Sequence, residues 1–345
     1  MTRSIRYWLA LCAALVFAMV VVGGLTRLTE SGLASVEWKP ISGTLPPMTQ
    51  DAWNQEFTAY QSSPQFKTVN HAMGLEEFKG IFWLEYIHRL LGRIIGLAFI
   101  LPLIFFYAKK QVSGRFALKM LGIFALGGLQ GAVGWYMVKS GLVADPHVSP
   151  YRLMFHLGLG VIIFGWLVWE FLNSHSVTSG NEESRSPLRG EGLGFPLCSI
   201  TPFLPLLIFL QILLGALVAG NDAGLVYNTF PTMNGAWIPD GMMTLTPWWH
   251  NLFENVTTVQ FMHRIGAYGL ILVIPIFWIV AKKHATNAAT KRRLNVLLIV
   301  LAFQLCLGVL TLLHQAPIAL ASLHQAAALV LFGASLSVLH SLNQK

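Results

Sequence analysis

Four histidines set the first question. His88, His156, His263 and His324 each lie inside a long apolar stretch. Each stands four to eight residues in from the end of its stretch that faces the outer side. At 1.5 Å per residue, that places them roughly 6–12 Å deep. One buried histidine commonly serves as an interhelical hydrogen-bonding group. Two per half of the chain, at matched depth, are a different observation. Imidazole is a standard axial ligand for haem iron, and facing helices in a bundle can hold a cofactor between them. A zinc site fits less well, because two histidines without nearby cysteines or further carboxylates do not complete a tetrahedron. The pattern favours two haem sites, each ligated wholly or partly by a histidine pair.

The neighbouring residues bear on the same chemistry. "EYIHRLLGR", Glu85 to Arg93, opens a run that continues "IIGLAFILPLIFFYA" without a charge. A charge in hydrocarbon costs about 2.5–3.5 kcal/mol on insertion scales, so such residues are usually paired or face a cavity or cofactor. Arg89 and Arg264 directly follow His88 and His263, and Arg93 is one turn beyond Arg89. Haem carries two propionates, which a guanidinium pairs well. Snorkelling to the interface is the plainer reading, and it weighs most on Arg93. Glu85 lies three residues before His88, on the same helical face. The corresponding place before His263 is Gln260. A carboxylate beside one site only suggests different jobs: chemistry at one, haem holding or electron transfer at the other. Glu85 could then move protons, or it could simply pair with Arg89 or Arg93.

The other histidines read differently. His147, His175, His250, His284 and His340 read as solvated polar residues, and His71 and His314 stay unassigned.

The elements that must position these groups follow from composition. The chain has 345 residues, of which 54% are hydrophobic and 11% charged. Its mean hydropathy is +0.59. That excludes an ordinary soluble domain. Eight segments reach the roughly 20 apolar residues of a spanning helix: 7–25, 82–107, 117–137, 152–172, 201–219, 256–281, 294–313 and 317–339. The first reads as a retained anchor, since its core is long and no signal-cleavage pattern follows. Of 23 Lys and Arg, 14 lie at the termini or in 108–119, 173–197 and 282–293. The positive-inside rule then places both termini in the cytoplasm. The net charge of +8 is thus a topology signal that needs no nucleic acid. Cys12, Cys198 and Cys306 lie in or beside spans, so no outer-loop disulfide is expected.

The Gly/Ser-rich segment 173–197 divides the chain into four spans plus four. The halves align: "VVVGGLTRLTESGL" with "LQILLGALVAGNDAGL", "EYIHRLLGRIIG" with "VQFMHRIGAYGL", and "LQGAVGWYMV" with "FQLCLGVLTLL". The expected fold is an all-α integral membrane protein, its eight helices forming two pseudo-symmetric four-helix bundles. The expected divisions are 1–172, with the site beside Glu85, the linker 173–197, and 198–345. In the first outer loop, Thr49 or Asp51 would cap an amphipathic helix carrying Trp53, Phe57 and Tyr60, lying at the interface. A transporter would instead show spans broken near Pro102 and Pro275. A di-haem electron relay would explain the histidines but not the one-sided Glu85.

Four stretches carry a specific resemblance: "GGLTRLTESGLA" (23–34), "FKTVNHAMGLEEFKGIFWLEYIHRLLGR" (66–93), "FMHRIGAY" (261–268) and "LASLHQAAAL" (320–329). The chain resembles the haem A synthases, in the branch shared by mitochondria and many proteobacteria. Another branch has a cysteine pair in the first outer loop, and this chain has none. The resemblance implies an enzyme that oxidises the C8 methyl group of haem O to a formyl group, giving haem A for cytochrome oxidase. It implies that His88 and His156 bracket the substrate haem, that Glu85 is the catalytic carboxylate, and that His263 and His324 hold a haem b. Arg89, Arg93 and Arg264 would be haem-contacting. The implied setting is the inner membrane of a bacterium. Implied partners are an electron acceptor of unassigned identity, haem O synthase and oxidase assembly factors, with room for a homo-oligomer.

Overall fold

The computed structural model describes residues 1–36, 42–141, 148–176, 201–285 and 287–343. Those residues form ten α-helices and no strand. In chain order they are α1 (Arg3–Leu28), α2 (Gln50–Gln61), α3 (Pro64–Thr68), α4 (Leu75–Ala108), α5 (Gly114–Gly141), α6 (Pro150–Ser176), α7 (Phe203–Gly220), α8 (Val256–His284), α9 (Ala288–Leu313) and α10 (Ile318–Asn343). Eight of them, all but α2 and α3, are long and apolar enough to cross a membrane, as the hydropathy predicts. Their outward faces carry large apolar side chains such as Leu101, Ile104, Leu272, Ile276 and Ile299, which suits lipid rather than water. Most of the linker 173–197, together with His147 and Cys198, lies outside the described residues.

α4 has 34 residues, about 51 Å at the helical rise and well beyond a hydrocarbon core of about 30 Å. It begins seven residues before the expected 82. The extension starts with half of a capping box, Gly74 N–H donating to Glu77 Oε2 at 3.0 Å. The extra turns exist because α2 packs on them. α2 is capped by Thr49, whose Oγ1 accepts from Ala52 N at 3.2 Å. Its Trp53, Phe57 and Tyr60 meet Phe78 and Phe82 of α4 at ring separations of 5.0–5.2 Å. The amphipathic face expected to lie at the lipid interface is therefore occupied by protein.

Tyr60 anchors this outer assembly. Its hydroxyl donates to Gln65 Oε1 at 3.1 Å and accepts from Asn70 Nδ2 at 2.7 Å. Gln65 in turn donates to the Glu30 carbonyl at 2.8 Å, tying the loop to the turn after α1. Burial is the largest cause pushing the Tyr60 phenol above its ordinary value. Its contribution is thus complete below the free phenol value of about 10 and is lost only as pH rises through the higher folded value. Tyr60→Phe should cost about 1–3 kcal/mol by leaving Gln65 and Asn70 short of a partner. Limited proteolysis between α2 and α4 should quicken while the spans stay intact; unchanged cleavage would contradict this role.

Two turns are built alike. Glu30 after α1 has φ 52° and ψ 25°, and Asp222 after α7 has φ 50° and ψ 26°. The short side chain of Asp222 tolerates this left-handed region, which is less usual for the longer Glu30. Each is followed by a 3₁₀ turn, Ser31–Leu33 and Ala223–Leu225. α4 and α8 run without a break through Pro102 and Pro275, which removes the broken-span expectation.

The chain clusters into two compact units, Ala14–Gly160 and Met1–Ala13 with Val161–Lys345. In the second, α9 and α10 pack along their length, joined at one end by Thr290 and Ser341 hydroxyls 2.5 Å apart. His340 corrects an expectation. It is 5% exposed rather than solvated, with Nε2 3.1 Å from Asn173 Oδ1 and its ring edge-on to Trp169.

Candidate functional site

The unit Ala14–Gly160 brings Glu85, His88, Arg89 and His156 together with the turn after α1. Glu85 is 3% exposed. Its Oε2 accepts from Ser35 N at 2.8 Å, and Oε1 pairs with Arg89 one turn on. Arg89 also donates to Ser35 Oγ and Ser35 O at 3.2 and 3.3 Å. The carboxylate and guanidinium thus clasp the backbone at Ser35. Arg93 lies one further turn along α4, half-buried.

The histidine rings lie against glycines. A β-carbon on Gly23 of α1 would stand 3.2 Å from His88 Nε2, and one on Gly134 of α5 would stand 2.9 Å from His156 Cε1. A β-carbon at either place would crowd the ring, more tightly at Gly134 than at Gly23. His156 Nδ1 is buried without a hydrogen-bond partner.

The second unit repeats this local chemistry with one change. A β-carbon on Gly215 of α7 would meet His263 Cε1 at 3.2 Å, and one on Gly308 of α9 would meet His324 Cε1 at 2.9 Å. The His263 and His324 ring centroids are 6.5 Å apart, with planes at 82°. In place of Glu85 stands Gln260, 2% exposed, donating to Ala223 O and Tyr227 O at 2.8 and 3.2 Å. Arg264 donates to Tyr227 O, Thr229 O and Thr232 O at 2.7, 2.8 and 3.2 Å. Two of the three arginines read as haem-contacting, Arg89 and Arg264, therefore hold outer-loop backbone, and Arg264 Nε remains buried without a partner.

These residues fit haem better than a bare ion. Among the described residues no three His, Cys, Asp or Glu side chains cluster as an ion site. Two imidazoles bound across one metal at about 2 Å each would put their ring centres about 6 Å apart, close to the observed 6.5 Å. Flat glycine faces beside the rings, and Nδ1 atoms of His156 and His324 that are buried without a hydrogen-bond partner, suit ligands of a flat macrocycle.

Reading from the sequence missed the glutamines. Gln130, Gln211 and Gln304 each precede the supporting glycine by four residues, and each reaches the histidine of the next helix. The repeated Q-x-x-x-G on α5, α7 and α9 was the available signal.

The fold and sites define a multi-pass, all-helical membrane protein with a pair of half-buried, glycine-backed histidines in each unit. Residues 6–336 match the profile of the family described as cytochrome oxidase assembly protein. The chain belongs to this family. It is 50% identical to the haem A synthase of Nitrosospira multiformis, covering 99% of this chain and 94% of the relative. It is 47% identical to that of Nitrosomonas eutropha, covering 98% and 94%, and 45% identical to that of Sinorhizobium fredii, covering 96% and 88%. No solved structure matches the chain.

Proposed function

We propose that this protein is a haem A synthase of a bacterial inner membrane. It takes haem O and oxidises the C8 methyl group to a formyl group, giving haem A for cytochrome oxidase. The observation that carries this reading is identity of 44–50% to haem A synthases over nearly the whole chain. In overall balance, the methyl group and one water give the formyl group, four protons and four electrons. A haem b held by His263 and His324 would supply electron transfer toward an acceptor.

The chain's own residues have separable tasks. His88 and His156 bracket the substrate haem. Glu85, one turn from His88, is the carboxylate placed to take protons from the reacting substituent. Its clasp on Ser35 holds it at the outer end of α4. Arg89, Arg93 and Arg264 are candidates for propionate contact, with Arg89 and Arg264 also holding the outer loops. The chain then works as two halves, 1–172 for the substrate and 198–345 for haem b, joined by the linker 173–197. Both termini face the cytoplasm, as the distribution of Lys and Arg supports.

Extraction of the haems from purified protein tests the reading. Haem O or haem A beside haem b is expected. Haem b alone would make the protein an electron relay and sink the synthase assignment.

A further inference from the structure

The loop between α7 and α8 can be levelled against α8, because side chains of that helix hold the loop's backbone. Just before the helix, Asn255 Nδ2 donates to Gly241 O and to Thr244 Oγ1, both at 3.0 Å. Further along, Gln260 Nε2 donates to Ala223 O at 2.8 Å. Arg264 holds Tyr227 O, Thr229 O and Thr232 O. The Tyr268 hydroxyl donates to Pro231 O at 2.6 Å. The chain therefore descends beside α8 from Gln260 toward Tyr268, eight residues or about 12 Å. It then climbs back to Asn255, thirteen residues or about 20 Å from Tyr268. Helical side chains lean toward the N-terminus, so the tip stops a few ångströms short of the Tyr268 backbone.

α8 also fixes the level of the membrane. Its last turn carries Lys282, Lys283 and His284, which belong at a water-facing edge. Lys282 Nζ lies 4.3 Å from the ring centroid of Trp278, an aromatic suited to the same edge. A hydrocarbon core of about 30 Å takes about 20 helical residues. Counting back from Lys282 puts the opposite edge near Met262. The Tyr268 backbone is then about 9 Å inside that edge, and the loop tip held by its hydroxyl lies below the edge too.

The loop is built for that place. Between Asp222 and Asp240 it has no charged residue. Backbone outside a helix is tolerated at membrane depth only where its polar groups find partners. Arg264 and Tyr268 supply donors to four carbonyls. The tip also closes on itself. Met233 and Ala236 exchange N–H···O bonds at 2.9 and 3.2 Å, and Asn234 N donates to Thr229 Oγ1 at 2.7 Å. Arg264 gains in turn, since a guanidinium at this depth needs acceptors. What stays uncovered is apolar: Phe230, Trp237 and Ile238 are 44%, 66% and 69% exposed. Trp237 shares a cleft with Ile265 and Tyr268. Ile265, Leu272 and Ile276 form one exposed stripe along α8, so apolar surface continues from the span onto the hairpin.

We infer that residues 227–238 are a re-entrant hairpin whose Phe230, Trp237 and Ile238 dock into the acyl chains of the leaflet at this end of α8. Continuity names the occupant, because lipid covers the stripe the hairpin extends. Asp222 and Asp240 stay at the water-facing margin. The placement is independent of the chemistry at the histidines. Met243 is the internal contrast. It is 56% exposed and also apolar, but its neighbour Thr244 is held by Asn255, about 10 Å above the edge.

The test places a nitroxide on Trp237→Cys and on Met243→Cys, each in a chain whose Cys12, Cys198 and Cys306 are alanine. The full chain is reconstituted in phosphatidylcholine vesicles. Oxygen, which concentrates in hydrocarbon, should relax the label at 237 more than a water-soluble nickel chelate does. At 243 the order should reverse. Stronger relaxation by nickel at both positions would put the hairpin in water, as a surface for a soluble partner, and overturns the inference. A label at 237 shielded from both reagents would mean that a second copy covers it, and overturns the inference equally. If the cysteine-free chain does not accumulate, the unaltered chain is compared with Trp237→Phe. The emission that this substitution removes should be strongly quenched by lipid brominated on its acyl chains. Emission that such lipid leaves unquenched overturns the inference.

Discussion

Cells making Glu85→Gln should accumulate haem O and form little haem A, while the variant protein is present and still binds haem. Glutamine keeps the size of the side chain and can still accept from Ser35 N–H, which Glu85 does at 2.8 Å. It cannot take up a proton. General acid–base groups typically contribute about 10²–10⁴-fold, and a loss of that order in haem A per bound haem is expected. The competing role is structural, since Glu85 is buried and paired with Arg89. Breaking a buried pair costs about 3–5 kcal/mol when a charge is stranded. Here the cost should sit at or below the low end, because Arg89 keeps Ser35 Oγ and O as acceptors and its side chain is 22% exposed. If Glu85 only clasps the loop, the variant should lose yield and haem content while haem A formed per bound haem stays normal. Pigment analysis against protein level separates the two, and normal haem A per enzyme would end the catalytic assignment.

The fold was legible where hydropathy alone decides. All eight spans follow from apolar runs, because a bilayer demands about 20 such residues whatever the helix packs against. The start of α4 was not legible. "LEEFKGI" carries three charges, and it is helical because α2 lays Trp53, Phe57 and Tyr60 on it, a long-range contact no local pattern encodes. His340 failed for the same kind of reason. Near the chain's end it reads as solvated, yet Asn173 and Trp169, far away in sequence, enclose it.

The histidines of the site were legible because repetition at matched depth is a sequence property. Their supports were not, although they repeat as well. Gln130, Gln211 and Gln304 look like ordinary polar residues within spans until the structure puts each amide on a neighbouring histidine. The arginines were legible as buried cations that need partners. Which partners they take depends on where the loop backbone falls, and Arg264 finds three loop carbonyls.

His263→Ala and His324→Ala should each remove most of the haem b signal from the reduced-minus-oxidised spectrum, whereas Glu85→Ala should leave it in place. The two rings stand 6.5 Å apart, a separation suited to one iron between them, and each is backed by a glycine that no other side chain occupies. Alanine at either place leaves a single protein ligand beside an open apolar gap. Neither Gln260 nor Arg264 can replace the lost imidazole, because Gln260 is engaged by Ala223 O and Tyr227 O and Arg264 by loop carbonyls. Glu85 belongs to the other compact unit, as do its partners Ser35 and Arg89. Its loss should therefore disturb substrate turnover without unseating haem b. The experiment is an optical spectrum normalised to protein, with haem extraction to identify what is bound. Haem b retained at wild-type level in both histidine variants would remove His263 and His324 as its ligands. Haem b lost from intact Glu85→Ala would show that the two sites are not separable.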